Sequence, residues 1–141
     1  MERKYKLLIV DDDKNILAHL TNQFDQQGFI VDIALDGVEG LEKLRCDKEF
    51  DVALVDLKMP QMGGIEMIKA AHQAGNNADM IILSDDNEFD KTDAIAAIKV
   101  GVRDWFDKSN IDMPQFVARV RELAEGMPLE EVSRILSIIR D

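Results

Sequence analysis

Residues 7–13 read LLIVDDD, an aliphatic run of four that ends directly in three aspartates. Leu7–Val10 has the length and the continuous apolar character of a strand that is buried on both faces. Such strands belong to parallel sheets covered by helices on both sides. Asp11, Asp12 and Asp13 would then stand at the carboxyl end of a strand, which is where ligands bind in open α/β sheets.

Four further runs of strand length follow along the chain, with helical patterns between them. They are Phe29–Ala34, Val52–Val55, Met80–Leu83 and the mixed run Val102–Phe106. Apolar residues recur between and after these runs at helical spacing, at Ile16, Leu17, Leu20 and Phe24; at Val38, Leu41 and Leu44; at Ile65, Ile68 and Ala71; at Ala94, Ile95 and Ile98; and at Phe116, Val117, Val120 and Leu123. Strict alternation of strand and helix predicts an α/β fold, a flavodoxin-like (βα)5 doubly wound parallel sheet of strand order 2-1-3-4-5.

The ends of the predicted helices carry their own residue signals. Gly28, Gly75 and Gly101 stand where helices should stop, and Asp36 stands where the second helix should be capped. The strand order predicts that the first and third strands lie side by side, with a site at their carboxyl ends.

The last residues of the chain predict an extra C-terminal helix. Gly126 and Pro128 interrupt the fifth helical pattern, and the positions Leu129, Val132, Leu136 and Ile139 then form a short heptad-like stripe. We therefore divide the chain into a domain at 1–124 and a helical extension or linker at 125–141. The stripe could fold back on the domain, pair with a second copy in a homodimer, or lead into a further part of a longer protein.

Composition and charge exclude several classes of function. The chain has 141 residues, with 17 Lys and Arg against 28 Asp and Glu, for a net charge of −11. The resulting field repels phosphate backbones and anionic lipids, so neither direct nucleic-acid binding nor membrane binding is expected. No apolar run approaches the ~20 residues of a membrane span. The one cysteine, Cys46, cannot form an internal disulfide, which favours a reducing, cytoplasmic setting.

Polar residues also end the later strands of the predicted sheet. Asp56 follows the third strand, Ser84 the fourth and Lys108 the fifth. Carboxylates that converge at ~4 Å repel by ~4 kcal/mol per pair at an effective dielectric near 20, so the site needs a cation such as Mg²⁺. Singly, each residue also fits a solvated turn, a helix cap or a surface position. Together they fit phosphoryl transfer, in which the protein supplies positioning and charge neutralisation.

Four segments resemble, in order and spacing, the motifs of the receiver domains of two-component response regulators. They read LLIVDDD at 7–13, DVALVDLKMPQMGG at 51–64, MIILS at 80–84 and GVRDWFDK at 101–108. The resemblance covers about residues 5–124. It implies that the chain accepts a phosphoryl group from a sensor histidine kinase or a His phosphotransfer protein and later loses it by hydrolysis. The surface of the fourth helix, fifth strand and fifth helix would then change toward a downstream protein or a fused output domain.

The same resemblance implies a role for each site residue. Asp56 is the expected phosphoacceptor, and Ser84 and Lys108 are expected to contact the phosphoryl group. Mg²⁺ is expected to be held by Asp12, by Asp56, by the backbone carbonyl of Lys58 and, largely through bound water, by Asp11. Ser84 and Trp105 are the expected switch residues.

Four departures from the usual pattern of this family matter, and the last of them is a pair of residues. Ser109 stands where the family usually has Pro, and Trp105 stands where it usually has Tyr or Phe. Asp85 replaces a small residue and adds negative charge, which should slow phosphorylation by small donors. Lys58 and Asp86 are expected to flank the path of the hydrolytic water and to slow dephosphorylation.

Two other functions fit part of the same residue set. A small Mg²⁺-dependent phosphohydrolase resembling the haloacid dehalogenase family would use Asp11 as nucleophile and Asp13 as acid and base, with Ser84 and Lys108 completing the site. That interpretation leaves Asp56 unexplained. The other is a receiver-like binding module that is never phosphorylated, against which the complete residue set argues.

Overall fold

The computed structural model describes residues 4–85, 90–126 and 129–140. Strands and helices alternate along the chain. The strands are β1 (Lys6–Val10), β2 (Ile30–Ala34), β3 (Val52–Asp56), β4 (Asp79–Ser84) and β5 (Asp104–Asp107), and the helices are α1 (Lys14–Gln26), α2 (Gly37–Cys46), α3 (Gly64–Gln73), α4 (Lys91–Lys99), α5 (Met113–Glu125) and α6 (Leu129–Arg140).

The strands form one parallel sheet in the order β2-β1-β3-β4-β5, as the alternation of elements predicted. The most continuously apolar strands, β1, β3 and β4, occupy its centre. Val10 pairs with Val55 in the register of β1 and β3, so the carboxyl ends of these strands lie side by side. This register brings the residues that follow β1 next to Asp56.

The core has two layers, one on each face of the sheet. Alternate residues of the strands point to opposite faces. One layer packs α1 and α5 against the sheet through buried side chains such as Phe24 and Phe116. The other packs α2, α3 and α4 through Leu44, Met67 and Ala97. The central strands are therefore covered on both sides, which explains why their sequences do not alternate with polar residues.

The predicted helix boundaries are confirmed where they depend on local chemistry. Asp36 is the N-cap of α2, and its Oδ1 accepts a hydrogen bond from the backbone N–H of Glu39 at 2.8 Å. Gly28, Gly75 and Gly101 have φ angles of 89°, 85° and 83°, a left-handed conformation that glycine adopts without steric cost.

The fourth helix and the fifth strand differ in detail from the prediction. The strand begins at Asp104 rather than at Val102, because the N–H of Val102 donates to the carbonyl of Ala97 at 3.0 Å and so belongs to the end of α4. Helix α4 buries Ala97, whereas Ile95 and Ile98, which predicted the helix, are 46% and 65% exposed. Helical spacing identified the helix correctly but not the face that it buries.

The extra C-terminal helix is confirmed as α6. Two residues of its predicted stripe, Leu136 and Ile139, are 47% and 72% exposed, and Ile138 beside them is 69% exposed. The rest of the described chain therefore leaves this part of the stripe uncovered. The side chain of Leu129 and residue Pro128 lie outside the described residues. Within the described ranges, no helix combines the length and the apolar character needed to cross a bilayer.

One glycine lets α3 approach the end of β3. The N–H of Gly64 donates to the carbonyl of Leu57 at 2.9 Å, and a Cβ built on Gly64 would lie 2.4 Å from the carbonyl oxygen of Asp56. The neighbouring Gly63 has a φ angle of −73°, and a Cβ there would meet the Leu57 oxygen at 3.4 Å, an ordinary contact. Of these two glycines, only Gly64 is required, because only there does another backbone segment come too close for a side chain.

We expect Gly64→Ala to destabilise the fold by about 1–3 kcal/mol, since either α3 or the backbone of Asp56 must move. The matched variant Gly63→Ala should cost far less. Urea unfolding of both variants measures the difference. Equal free energies of unfolding for the two variants would show that the close approach at Gly64 has no energetic weight.

Candidate functional site

Three carboxylates meet at the carboxyl ends of β1 and β3. Asp11 and Asp56 are buried, with 0% and 2% of their surfaces exposed, and Asp12 is exposed. One carboxylate oxygen from each residue lies within 4.8 Å of the others. Asp11 is fixed from both sides, because its N–H donates to the carbonyl of Ala34 at 3.1 Å and its Oδ1 accepts from the N–H of Asp13 at 2.9 Å.

A lysine from the neighbouring edge of the sheet faces this cluster. The side chain of Lys108 is only 8% exposed, and its Nζ lies 3.1 Å from Asp11 Oδ2 and 3.2 Å from Asp56 Oδ1. Its backbone N–H donates to the carbonyl of Ser84 at 2.9 Å, which extends the ladder between β4 and β5. The ammonium therefore lies between two buried carboxylates.

The two predicted switch residues lie in different environments. Ser84 ends β4 and is 4% exposed, one position beyond Leu83, which pairs with Asp56. Trp105 lies in the edge strand β5 and is 45% exposed. The hydroxyl-bearing residue is thus buried near the carboxylates, whereas the indole contributes to the outer surface.

A cleft of about 310 Å³ opens over the cluster. It is lined by Asp12, Asp13, Asp56, Lys58, Asp85 and Lys108. Four carboxylates thus face two ammonium groups, which makes the cleft acidic. Lys58 and Asp85 are both exposed at its wall. Asp86, the predicted partner of Lys58, lies outside the described residues.

Burial and mutual repulsion shift the pKa values of the buried groups. Burial, followed by the nearby Asp11 carboxylate, raises the pKa of Asp56 to about 7, although Lys108 acts in the opposite direction. Burial also raises the pKa of Asp11. The hydrogen bond from the N–H of Asp13 and the positive charge of Lys108 act in the opposite direction. Burial would lower the pKa of Lys108, but the attraction of Asp56 and Asp11 outweighs it and raises the pKa. The lysine stays charged and does not fully neutralise the carboxylates.

The residues present fit a hard divalent cation. Asp56 Oδ1 is buried and accepts no hydrogen bond from the described residues, and it lies 3.2 Å from Lys108 Nζ in an ion pair. Such an oxygen needs a partner. Three clustered carboxylates provide oxygen ligands of the kind that Mg²⁺ takes, together with several waters.

The structure brings together most of the residues that the sequence singled out. Asp11, Asp12, Asp56 and Lys108 form the cluster, and the side chain of Lys58 lines the cleft above it. Their roles in binding metal or phosphate stay predictions.

The turn formed by Asp107 and Ser109 was not predicted from the sequence. Asp107 Oδ1 accepts hydrogen bonds from both the N–H and the Oγ of Ser109. The pattern Asp-x-Ser after a strand is a signal for such a turn and could have revealed it.

Sequence comparison matches the chain to a family model and to curated proteins that share one description, response regulator. The family model of the response regulator receiver domain matches residues 7–121. The response regulator ArlR of Staphylococcus saprophyticus is 29% identical over 136 residues, which are 96% of this chain and 60% of that protein. The response regulator MprA of Mycobacterium ulcerans is 27% identical over 126 residues, or 89% of this chain and 53% of that protein. The chain thus spans little more than half the length of these relatives.

Structure comparison gives the same result. The CheY-like receiver domain protein of Methanospirillum hungatei superposes with a TM-score of 0.80 at 25% identity, over 87% of this chain and 95% of that one. CheY in the CheX–CheY–BeF3–Mg²⁺ complex of Borrelia burgdorferi superposes with a TM-score of 0.73 at 28% identity, over 82% and 86% of the two chains.

The raised pKa of Asp56 makes the stability of the metal-free protein depend on pH. The folded state holds a proton on Asp56 up to about pH 7, whereas the unfolded chain releases it near ~3.9. This contribution to stability is complete below the unfolded pKa and is lost as the pH rises through the folded pKa.

We therefore expect wild type to lose stability relative to Asp56→Asn between about pH 5 and about pH 8, by on the order of 2 kcal/mol. Urea unfolding in EDTA at several pH values measures this difference, with the exposed Asp25→Asn as the control for a lost surface charge. Mg²⁺ should restore the stability of wild type at the higher pH. Parallel pH profiles for wild type and Asp56→Asn would contradict the burial of an ionisable Asp56.

Proposed function

The chain belongs to the receiver domains of two-component response regulators, and we propose that it accepts a phosphoryl group on Asp56 with the help of Mg²⁺. The observation that carries this proposal is the buried Oδ1 of Asp56, which accepts no hydrogen bond from the described residues and lies beside the Lys108 ammonium beneath an open cleft. The superposed chain from Borrelia burgdorferi comes from a complex that contains BeF3 and Mg²⁺, which is consistent with a receiver domain that takes a phosphoryl-like group and Mg²⁺.

In the proposed reaction, a carboxylate oxygen of Asp56 attacks the phosphorus of a phosphohistidine. The new O–P bond forms as the N–P bond breaks, and the electron pair stays on the imidazole of the donor. Lys108 offsets the charge of the phosphoryl group, and the Ser84 hydroxyl donates a hydrogen bond to one of its oxygens. Hydrolysis reverses the modification, because water attacks the phosphorus, inorganic phosphate leaves and the Asp56 carboxylate is restored.

The metal would be held by the chain's own oxygen ligands. Asp12, Asp56 and the carbonyl of Lys58 would bind it directly, and Asp11 largely through water. Bound Mg²⁺ supplies positive charge to the phosphoryl oxygens. The carboxylate of Asp85 in the same cleft repels an approaching anionic donor, so phosphorylation by small donors should be slow.

The phosphohydrolase alternative is not favoured. It needs Asp13 as a free acid and base, but Asp13 is the N-cap of α1, and its Oδ1 accepts from the N–H groups of Asn15 and Ile16 at 2.9 and 3.3 Å. In the receiver mechanism Asp13 needs no chemical role. The only chemistry that we assign to the chain is its own phosphorylation and dephosphorylation.

The proposed partners are proteins. A sensor histidine kinase or a His phosphotransfer protein would supply the phosphoryl group, and a downstream protein or a fused output domain would read the switch through Ser84 and Trp105. Exposed Ile95, Ile98 and Trp105 give α4 and β5 apolar surface for such contacts. The net charge of −11 argues against direct contact with nucleic acid or an anionic membrane, and we propose a cytoplasmic location.

We propose that residues 1–124 form the phosphoacceptor domain and residues 125–141 a helical extension. The exposed Leu136 and Ile139 of α6 would be buried if two copies paired in a homodimer. In a longer protein, the same helix would connect the domain to its output.

Incubation with phosphoramidate and Mg²⁺ should add one phosphate to wild type and none to Asp56→Asn, since an amide cannot act as the phosphoacceptor in place of the Asp56 carboxylate. Intact-protein mass spectrometry measures the modification. Asp25→Asn, which removes a charge at the far end of α1, should be modified as wild type is. If Asp56→Asn is modified normally and Asp11→Asn is not, the phosphohydrolase mechanism replaces the receiver mechanism.

Truncation after Gly126 should leave phosphorylation at the wild-type rate, because the site lies in the preceding domain. If α6 pairs two copies, light scattering should give a dimer for the full chain and a monomer for the truncated one. Leu136→Asp should reproduce the monomer without shortening the chain. Equal masses for all three proteins would reject pairing of two copies through α6.

A further inference from the structure

The turn that carries Lys108 is closed by a cluster of hydrogen bonds. Asp107 Oδ1 accepts from the N–H of Ser109 at 2.9 Å and from its Oγ at 2.7 Å. The carbonyl of Asp107 accepts from the N–H of Asn110 at 3.1 Å. Lys108 itself donates its N–H to the carbonyl of Ser84 at 2.9 Å. Hydrogen bonds thus hold the backbone on both sides of the lysine.

The position of this backbone determines where the ammonium lies. A lysine side chain has four flexible carbons and loses rotamer freedom when its charge is fixed in one place. Lys108 Nζ lies within 3.2 Å of a carboxylate oxygen of both Asp11 and Asp56 while its side chain is 8% exposed. A turn with more freedom would let the ammonium leave the two buried carboxylates and move toward the exposed Asp85 at the wall of the cleft.

We propose that Asp107 and Ser109 are positioning residues for Lys108. Their hydrogen bonds fix the turn, and the turn keeps the ammonium between the two buried carboxylates. The expected effect on phosphorylation rests on the proposed function. The expected effect on Mg²⁺ affinity rests on the proposed metal site alone and not on phosphoryl transfer.

A loosened turn should change these two properties in opposite directions. The Lys108 ammonium and a bound cation compete for the carboxylates of Asp11 and Asp56, so a displaced ammonium leaves more negative charge for Mg²⁺. The phosphoryl group, in contrast, loses a positively charged neighbour and is transferred more slowly. A general loss of structure would instead weaken Mg²⁺ binding and slow phosphorylation together.

The test uses the full chain and two measurements, the rate of phosphorylation by phosphoramidate at saturating Mg²⁺ and the Mg²⁺ affinity by calorimetry. Ser109→Ala should slow phosphorylation about fivefold, if the loss of about one hydrogen bond's free energy appears in the barrier, and should tighten Mg²⁺ binding about twofold. Ser109→Thr keeps the hydroxyl and should restore both values. Ser137→Ala, at an exposed serine of α6, is the matched control and should change neither.

Asp107→Ala removes the acceptor of both Ser109 hydrogen bonds and should have the larger effect. Its lost negative charge would by itself weaken Mg²⁺ binding, so tighter binding in this variant would support displacement of the lysine. Thermal unfolding shows whether it folds, and if it does not, the Ser109 variants carry the test.

A double-mutant comparison separates the proposal from its alternatives. In a Lys108→Ala background, Ser109→Ala should change neither the rate nor the Mg²⁺ affinity further, because it acts through the lysine. Persistent effects in that background, wild-type values for Ser109→Ala alone, or weaker Mg²⁺ binding in that variant would each overturn the proposal. If wild type is not phosphorylated at all, the proposed function fails, and the Mg²⁺ affinities still decide whether the turn positions Lys108.

Discussion

Two buried carboxylates and one buried ammonium form the interaction on which the site depends. Asp11 and Asp56 are held close together at the end of a parallel sheet, with Lys108 between them. Two like charges ~4 Å apart repel by ~4 kcal/mol at an effective dielectric near 20, so the cluster would separate if its backbone were free to move. The pKa of Asp56, raised to about 7, reflects the cost of ionising this carboxyl group beside Asp11 in a buried place.

The fold supplies the rigidity that this cluster requires. The register of β1 and β3 sets the distance between the two buried aspartates, and helices on both faces of the sheet prevent the strands from separating. Helix α3 approaches the carbonyl of Asp56 so closely that position 64 has no room for a side chain and must be glycine. A movement of the Asp56 backbone would therefore displace the start of α3.

The exposed apolar side chains of α4 and β5 lie outside the charged cluster. Helix α4 exposes Ile95 and Ile98, and the edge strand β5 exposes Trp105. Helix α4 is the next helix after Ser84, and Lys108 directly follows β5, so a movement of either residue would be passed to these elements through the backbone. The local event would be a change of charge and hydrogen bonding, and its result a change in an apolar protein-binding surface.

The sequence by itself determined which strands are central in the sheet and which polar residues follow the strands. Continuous apolar strands can be buried only between two helical layers, and residues after such strands must meet at one edge of the sheet. The order of the residues along the chain is therefore enough to place Asp11, Asp56, Ser84 and Lys108 at one edge. It could not give the start of β5 or the buried face of α4, because a short apolar pattern does not show which side chains a neighbouring element covers.

Only the tertiary structure decided how the charges of the site balance. The pKa of Asp56 depends on its burial and on its distance from Asp11, and neither quantity is local in sequence. The exposure of Trp105 depends on β5 lying at the edge of the sheet. The position of Lys108 depends on a turn closed by Asp107 and Ser109, whose importance appears only when the ammonium is seen between two carboxylates from distant strands.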